Sequence, residues 1–245
     1  MTTAATPETG KMSELGRLTG VIWSPGEAFR DIIARPRWWP PLVLIAVLSL
    51  AFTYTFTQHV GWERFMRQQI ETNSRTQNMP ADQREQIIAQ QAKFAPVFGY
   101  VFSVIGIPIM ALITASVFLF IFKTLLNADL SFKKAYAITC YAMLPLVLST
   151  VMALAVMLMK NPEDFDLNYP TLTNIGAFMD PLHTPKWLLS LGSSIDIFTL
   201  WILALLATGF AATGRKISWG TSMACVVAAW AVLVLIKVGW NAAFA

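Results

Sequence analysis

Charge is scarce in this sequence. Asp, Glu, Lys and Arg make up 13% of its 245 residues, about half the share of a soluble domain, which argues against an extensive solvated surface. Histidine is limited to His59 and His183. They lack the spacing of a ligand pair, so no metal site is expected. Cysteine is limited to Cys140 and Cys225, each inside an apolar run and neither in a C-x-x-C pair. Both read as small buried hydrophobes. No H-E-x-x-H pair, G-x-S-x-G elbow or Walker loop is present, and no other convergent nucleophile, base or metal set replaces them. The expectation is a non-enzymatic protein with no catalytic residues and no cofactor. Basic residues form no stripe with interleaved aromatics, which argues against a nucleic-acid partner.

Apolar sequence is abundant. Hydrophobic residues make up 56% of the chain and the mean hydropathy is +0.55. Five runs approach the roughly 20 residues that cross about 30 Å of hydrocarbon. They predict an all-α, polytopic membrane helix bundle with transmembrane helices over about 39–58, 97–122, 135–159, 194–213 and 219–240. The first run follows a long mixed-charge segment and is too long for a signal-peptide core, so it is expected to stay in the mature protein. The short turn TGRKIS (213–218) makes the last two spans an antiparallel hairpin. Residues 1–37 are then an N-terminal segment and 38–245 a five-span membrane domain.

Lys and Arg near the span ends set the orientation. One side holds Lys11, Arg17, Arg30, Arg35, Arg37, Lys123, Lys133, Lys134, Arg215 and Lys216, ten in short segments. The other holds Arg64, Arg67, Arg75, Arg84, Lys93, Lys160, Lys186 and Lys237, eight over longer loops. This places the N-terminus in the cytoplasm and the C-terminus outside.

Outside the bilayer, SPGEAFRDIIARPRWWPP (24–41) predicts a short amphipathic helix. Ser24 is a good N-cap, Pro25 fits the first turn, and Glu27 completes a capping box. Ala28, Phe29, Ile32 and Ile33 share one face, and Pro36 ends the helix. Leu15, Leu18 and Ile22 predict another amphipathic turn or two upstream. Such a helix can lie at the membrane surface, with Phe29, Ile32, Ile33, Arg35, Arg37, Trp38 and Trp39 as an interface anchor, or it can dock a partner. The 59–96 loop carries helix-like stretches over 62–73 and 81–95, the first with Trp62, Phe65, Met66 and Ile70 in an apolar stripe. They predict a helical hairpin or extensions of the neighbouring spans. In the 160–186 loop, Asp164, Asp166 and Asn168 imitate the start of a calcium loop. The sixth position is not glycine and the twelfth is Ile175, so calcium is not expected and a turn-rich cap is.

Within the spans, Pro108 and Pro145 each remove a backbone donor and can kink a helix. Gly99, Ser103 and Gly106, like Ala224 and Ala228, offer small faces for close packing. Asp196 has two readings. In a helix starting at Trp187 it lies about 13 Å along the axis, an intramembrane carboxylate with a functional role. If Ser193 or Ser194 caps the helix instead, Asp196 falls in the first turn against free N–H groups.

Three stretches carry a resemblance. LLNADLSFKKAYAITCYAMLPLVLS (125–149) resembles the Yip family, five-span proteins named for interaction with Ypt/Rab GTPases, through its short polar link, Tyr141 and the Leu144-Pro145 pair. SPGEAFRDIIARPRWWPPLVL (24–44) and SIDIFTLWILALLATGF (194–210) look like the bacterial branch. The resemblance implies five spans, a cytoplasmic N-terminus and an extracytoplasmic C-terminus. No acidic DLYGP-like segment precedes the first span, which counts against a Rab-type GTPase partner. The expected setting is a bacterial inner membrane. The expected partners are the lipid bilayer and either another membrane protein or a second copy of this chain. A scaffold or assembly role is the first expectation. The alternative is a small transporter or permease subunit in which Asp196 couples an ion.

Overall fold

The computed structural model describes residues 12–71, 79–180, 183–214 and 216–244. Lys11, Arg75 and Arg215, which entered the orientation count, lie outside that set, as do the last two residues of the helix expected over 62–73. The described residues are helical, with no strand among them beyond an isolated bridge between Asn174 and Asp196.

Two short helices lead the chain, α1 (Glu14–Trp23) and α2 (Pro25–Ala34). Ser13 caps α1, its Oγ accepting from the Gly16 N–H at 3.0 Å. The capping box expected at Ser24 does not form, since the Ser24 side chain makes no capping hydrogen bond. The reason is local: Ser24 also ends α1, its N–H donating to the Gly20 carbonyl at 2.7 Å. Its ψ of 59° is outside the extended geometry of a side-chain cap.

The first long apolar helix, α3 (Trp39–His59), starts on two prolines that need no donor there. Gly61 takes φ +86°, a conformation that suits glycine, and turns the chain into α4 (Trp62–Glu71). Next, α5 (Ala81–Leu119) runs through Pro96 and Pro108 and closes in a π-helical turn, Phe120–Leu125. The stretch expected over 81–95 is therefore continuous with the second span. At 45 residues and 1.5 Å each it is about 67 Å long, more than twice the hydrocarbon thickness. Asn127, in the left-handed region at φ 51°, ends it as asparagine often does.

The third run is broken. Helix α6 (Phe132–Ala142) stops at a turn over Met143 and Leu144, and Pro145 opens α7 (Pro145–Met159). After a turn-rich segment come α8 (Lys186–Ser194), α9 (Ile197–Ala211) and α10 (Trp219–Phe244). Among the described residues, four segments are long and apolar enough to cross a membrane: Trp39–His59, Ala81–Leu125, Phe132–Met159 and Trp219–Ala243. The expected fourth span is shorter than predicted. Helix α9 has 15 residues, a rise of about 22 Å.

The main core gathers around the N-terminal helices. Val21, Phe29 and Ile32 pack in one cluster with Ile138, Tyr141 and Phe210. Phe122 and Phe210 stack with centroids 4.7 Å apart. Gly209 makes room for this packing: a Cβ there would lie 2.5 Å from Ile138 Cγ2 and 3.0 Å from Phe29 Cδ1. A separate cluster forms where α3 meets α4, with Phe56 against Trp62 at 4.9 Å and against Phe165 at 6.3 Å. The buried Ser222 Oγ donates to the Ala207 carbonyl at 2.7 Å, fixing α10 to α9.

Candidate functional site

The densest polar constellation joins α1 and α2 to α6. Glu14 and Arg17 face the same side of α1 by their i,i+3 spacing, as Asp31 and Arg35 do on α2 by i,i+4. Arg17 is 1% exposed. Its Nε donates to Asp31 Oδ2 at 2.6 Å, and its Nη1 donates to the Arg35 carbonyl at 3.2 Å and to Glu14 Oε1 at 3.4 Å. Arg35 Nη2 donates to Asp31 Oδ1 at 2.5 Å. Arg37 Nη1 donates to Glu14 Oε1 at 3.0 Å. Tyr141 Oη, from α6, donates to Glu14 Oε2 at 3.2 Å.

The buried guanidinium is thus paired and bonded on several sides, which a buried charge requires. Burial pushes the Asp31 carboxyl up, but hydrogen bonds from Arg35 and Arg17 outweigh it and hold the group below its ordinary 3.8.

Three residues read from the sequence, Arg35, Arg37 and Tyr141, meet here. The acids that unite them, Glu14 and Asp31, and the central Arg17 carried no such expectation, although the helical charge spacing was a usable signal. The interface-anchor set divides. Phe29 and Ile32 are 0% exposed and face the protein core, so α2 is docked into the bundle. Ile33 is half-buried, while Trp38 and Trp39 remain exposed, Trp38 lying 5.5 Å from the Tyr136 ring. On the far side of α1, Leu15 is 75% and Trp23 83% exposed.

Asp196 is itself the N-cap of α9, in place of Ser193 or Ser194. Its Oδ1 accepts from the N–H groups of Phe198 and Thr199 at 2.8 and 3.2 Å, and its Oδ2 accepts from Thr173 Oγ1 at 2.6 Å. The Ser193 and Ser194 hydroxyls donate to the Ser190 carbonyl instead, at 3.0 and 2.7 Å. Both accept from Lys237 Nζ at 3.2 Å. Pro108 lies inside α5, and its carbonyl accepts from Tyr136 Oη at 3.3 Å. Pro145 sits in the first turn of α7, one helical turn beyond Tyr141.

Two cavities flank α5. One, about 870 Å³, lies between α4 and α5 and is lined by Trp62, Met66, Gln91, Phe94 and Phe98 among others. The second, about 580 Å³, is lined by α3, α5 and α7 and includes the hydroxyls of Thr53, Ser103 and Thr150. Among the described residues no three His, Cys, Asp or Glu side chains come together as metal ligands. His183 pairs with Asp180 at 2.5 Å.

The family model of the Yip1 domain matches residues 19–240, a stretch from inside α1 into α10. The chain is 25% identical over 222 residues to "Membrane protein YknW" of Bacillus subtilis (strain 168), covering 89% of each chain. No solved structure matches it. With a helical bundle that carries four membrane-length apolar segments and a family match over most of its length, this chain belongs to the Yip1 domain family of membrane proteins.

Proposed function

We propose that this protein is a non-enzymatic scaffold or assembly partner in a bacterial inner membrane. It has five spans, a cytoplasmic N-terminus and an extracytoplasmic C-terminus. The observation that carries the reading is the contrast between the two sides of α1. Its inner side is fastened to the bundle through Arg17 and Glu14. Its outer side presents Leu15 and Trp23 almost fully exposed. A fixed helix with outward apolar anchors is the form in which a groove of a partner protein recognises a helix, and tryptophan is favoured at the centre of such contacts. The basic residues grouped around the N-terminal segment and the 123–134 link support the cytoplasmic assignment.

A photo-crosslinking residue at Leu15 or Trp23, in cells, followed by mild-detergent purification and mass spectrometry, tests this. A recurrent stoichiometric membrane-protein partner, lost in Trp23→Ala, is expected. Recovery of the chain alone would overturn the scaffold reading and bring transport forward. Asp196, with both oxygens occupied by capping and Thr173, supports an end-of-helix role over ion coupling.

A further inference from the structure

A hydroxyl in an apolar helix can satisfy itself by donating to the carbonyl four residues earlier. Thr55, Thr57, Ser116 and Thr208 do so, at 2.7 to 2.9 Å. Ser49 on α3 and Ser149 on α7 do not, and both line the cavity of about 580 Å³ between α3, α5 and α7. Neither hydroxyl makes a hydrogen bond among the described residues. The other three hydroxyls of that cavity are engaged. Ser103 Oγ donates to the Gly99 carbonyl at 2.8 Å. Thr53 Oγ1 donates in turn to Ser103 Oγ at 2.6 Å, and Thr150 Oγ1 donates to the Leu146 carbonyl at 2.8 Å. The cavity therefore presents two uncommitted donors, one from each of two facing helices.

Their depth sets what can meet them. Ser49 is ten residues from each end of α3, Trp39–His59. That is about 15 Å of rise, the middle of a hydrocarbon layer about 30 Å thick. Water is scarce there, and a donor without an acceptor is costly. Among the described residues that line the cavity, none is charged and none is Asn, Gln or His. A charged group would find no counter-charge on these walls. The remaining lining is mostly apolar and includes Phe52, Phe102, Ile107 and Met110. Apolar walls, a few polar groups and a volume of this size are the usual make-up of a small-molecule site.

We propose that this cavity binds one uncharged lipid through its carbonyl oxygens, which accept from Ser49 and Ser149, while its hydrocarbon lies against Phe102 and Met110. The esters of a diacylglycerol and the ring of a quinone both offer that chemistry. The cavity is separate from the α1–α2 surface. Its test is therefore independent of the scaffold reading.

The full-length protein, delipidated in mild detergent, is titrated with diacylglycerol, with its dialkyl ether analogue, which has no carbonyl, and with menaquinone. Binding is read by native mass spectrometry. One diacylglycerol or menaquinone per chain is expected, bound about tenfold more tightly than the ether. The tighter of the two identifies the source of the carbonyl. Ser49→Ala combined with Ser149→Ala removes the preference over the ether. Thermal unfolding of the lipid-free double variant should not fall, because each change removes an unpaired donor. Only the rise in Tm on adding the carbonyl lipid should shrink. Gly106→Leu puts a side chain on the cavity wall, where the nearest heavy atom to a Cβ is Phe102 Cδ1 at 3.6 Å, and weakens all three lipids. Carbonyl lipids bound no more tightly than the ether would overturn the proposal. So would a preference that persists in the double variant.

Discussion

Arg17 is the residue whose loss should be felt through its neighbours. Asp31 is its closest partner, at 2.6 Å, and Asp31→Ala leaves a buried guanidinium short of a counter-charge. Removing one member of a buried pair costs about 3 kcal/mol. Trypsin cleavage after Arg30 in inside-out vesicles should accelerate on the order of a hundredfold, because cleavage follows the population of the opened state. An unchanged rate would show that the pair does not hold α2 in place. The same carboxylate sets a pH limit. Its native pKa lies below its ordinary 3.8, so its contribution is complete above that value and lost as pH falls through the depressed one. Spin labels at Gly26→Cys and Lys133→Cys, with the native cysteines replaced, should give one distance from about pH 5 to 8. That distribution should broaden only on further acidification. Asp196 makes a prediction of another kind. Asparagine caps a helix about as well as aspartate, whereas alanine costs about 1–2 kcal/mol. Thermal unfolding should therefore separate Asp196→Ala from the other two forms, and flux lost in a fully folded Asp196→Asn would restore the ion-coupling role. Sequence alone offered Ser193 or Ser194 as the cap, with Asp196 in the first turn, whereas Asp196 itself is the cap. The choice depended on Thr173, 23 residues away in sequence, which local pattern does not reveal.

At the level of helices, apolar runs marked most of the elements, and the errors fall where tertiary contact overrides a local signal. Pro145 looked like a kink inside one span, but it opens a new helix after a turn. Tyr141 stands one helical turn earlier, where it can reach Glu14. The 81–95 stretch was open to two readings, a hairpin helix or an extension of the span, because its surface is polar, and the second holds. It continues without a break into the span, since a helix that leaves the bilayer has no reason to stop at the interface. For α2 the apolar face was legible and its destination was not, because periodicity reports a buried side without naming what buries it. Gly209 supplies that information. Gly209→Val should push Ile138 and Phe29 apart, an overpacking cost of about 1–3 kcal/mol. Pairing it with Ile138→Ala should recover part of the loss, read as a coupling between the two substitutions in thermal unfolding. Strictly additive losses would mean that the contact at 2.5 Å is relieved elsewhere.

For the molecule as a whole, fold class and membrane character followed from composition and run length, because the bilayer constrains them strongly. The polar junction of α1, α2 and α6 did not, because it assembles residues separated by more than a hundred positions. That separation has a consequence for how the protein is made. Phe29 leaves the ribosome 180 residues before Gly209, against which its ring finally rests. At about 5–20 residues per second, the interval is roughly 10–40 s. During that time Phe29 and Ile32, fully covered in the finished protein, lack part of their surroundings. The nascent N-terminus therefore carries an apolar face whose cover is completed only when α9 has been made. A chain truncated before α9 never gains Gly209 and Phe210, and leaves Phe29 and Ile32 without part of their cover.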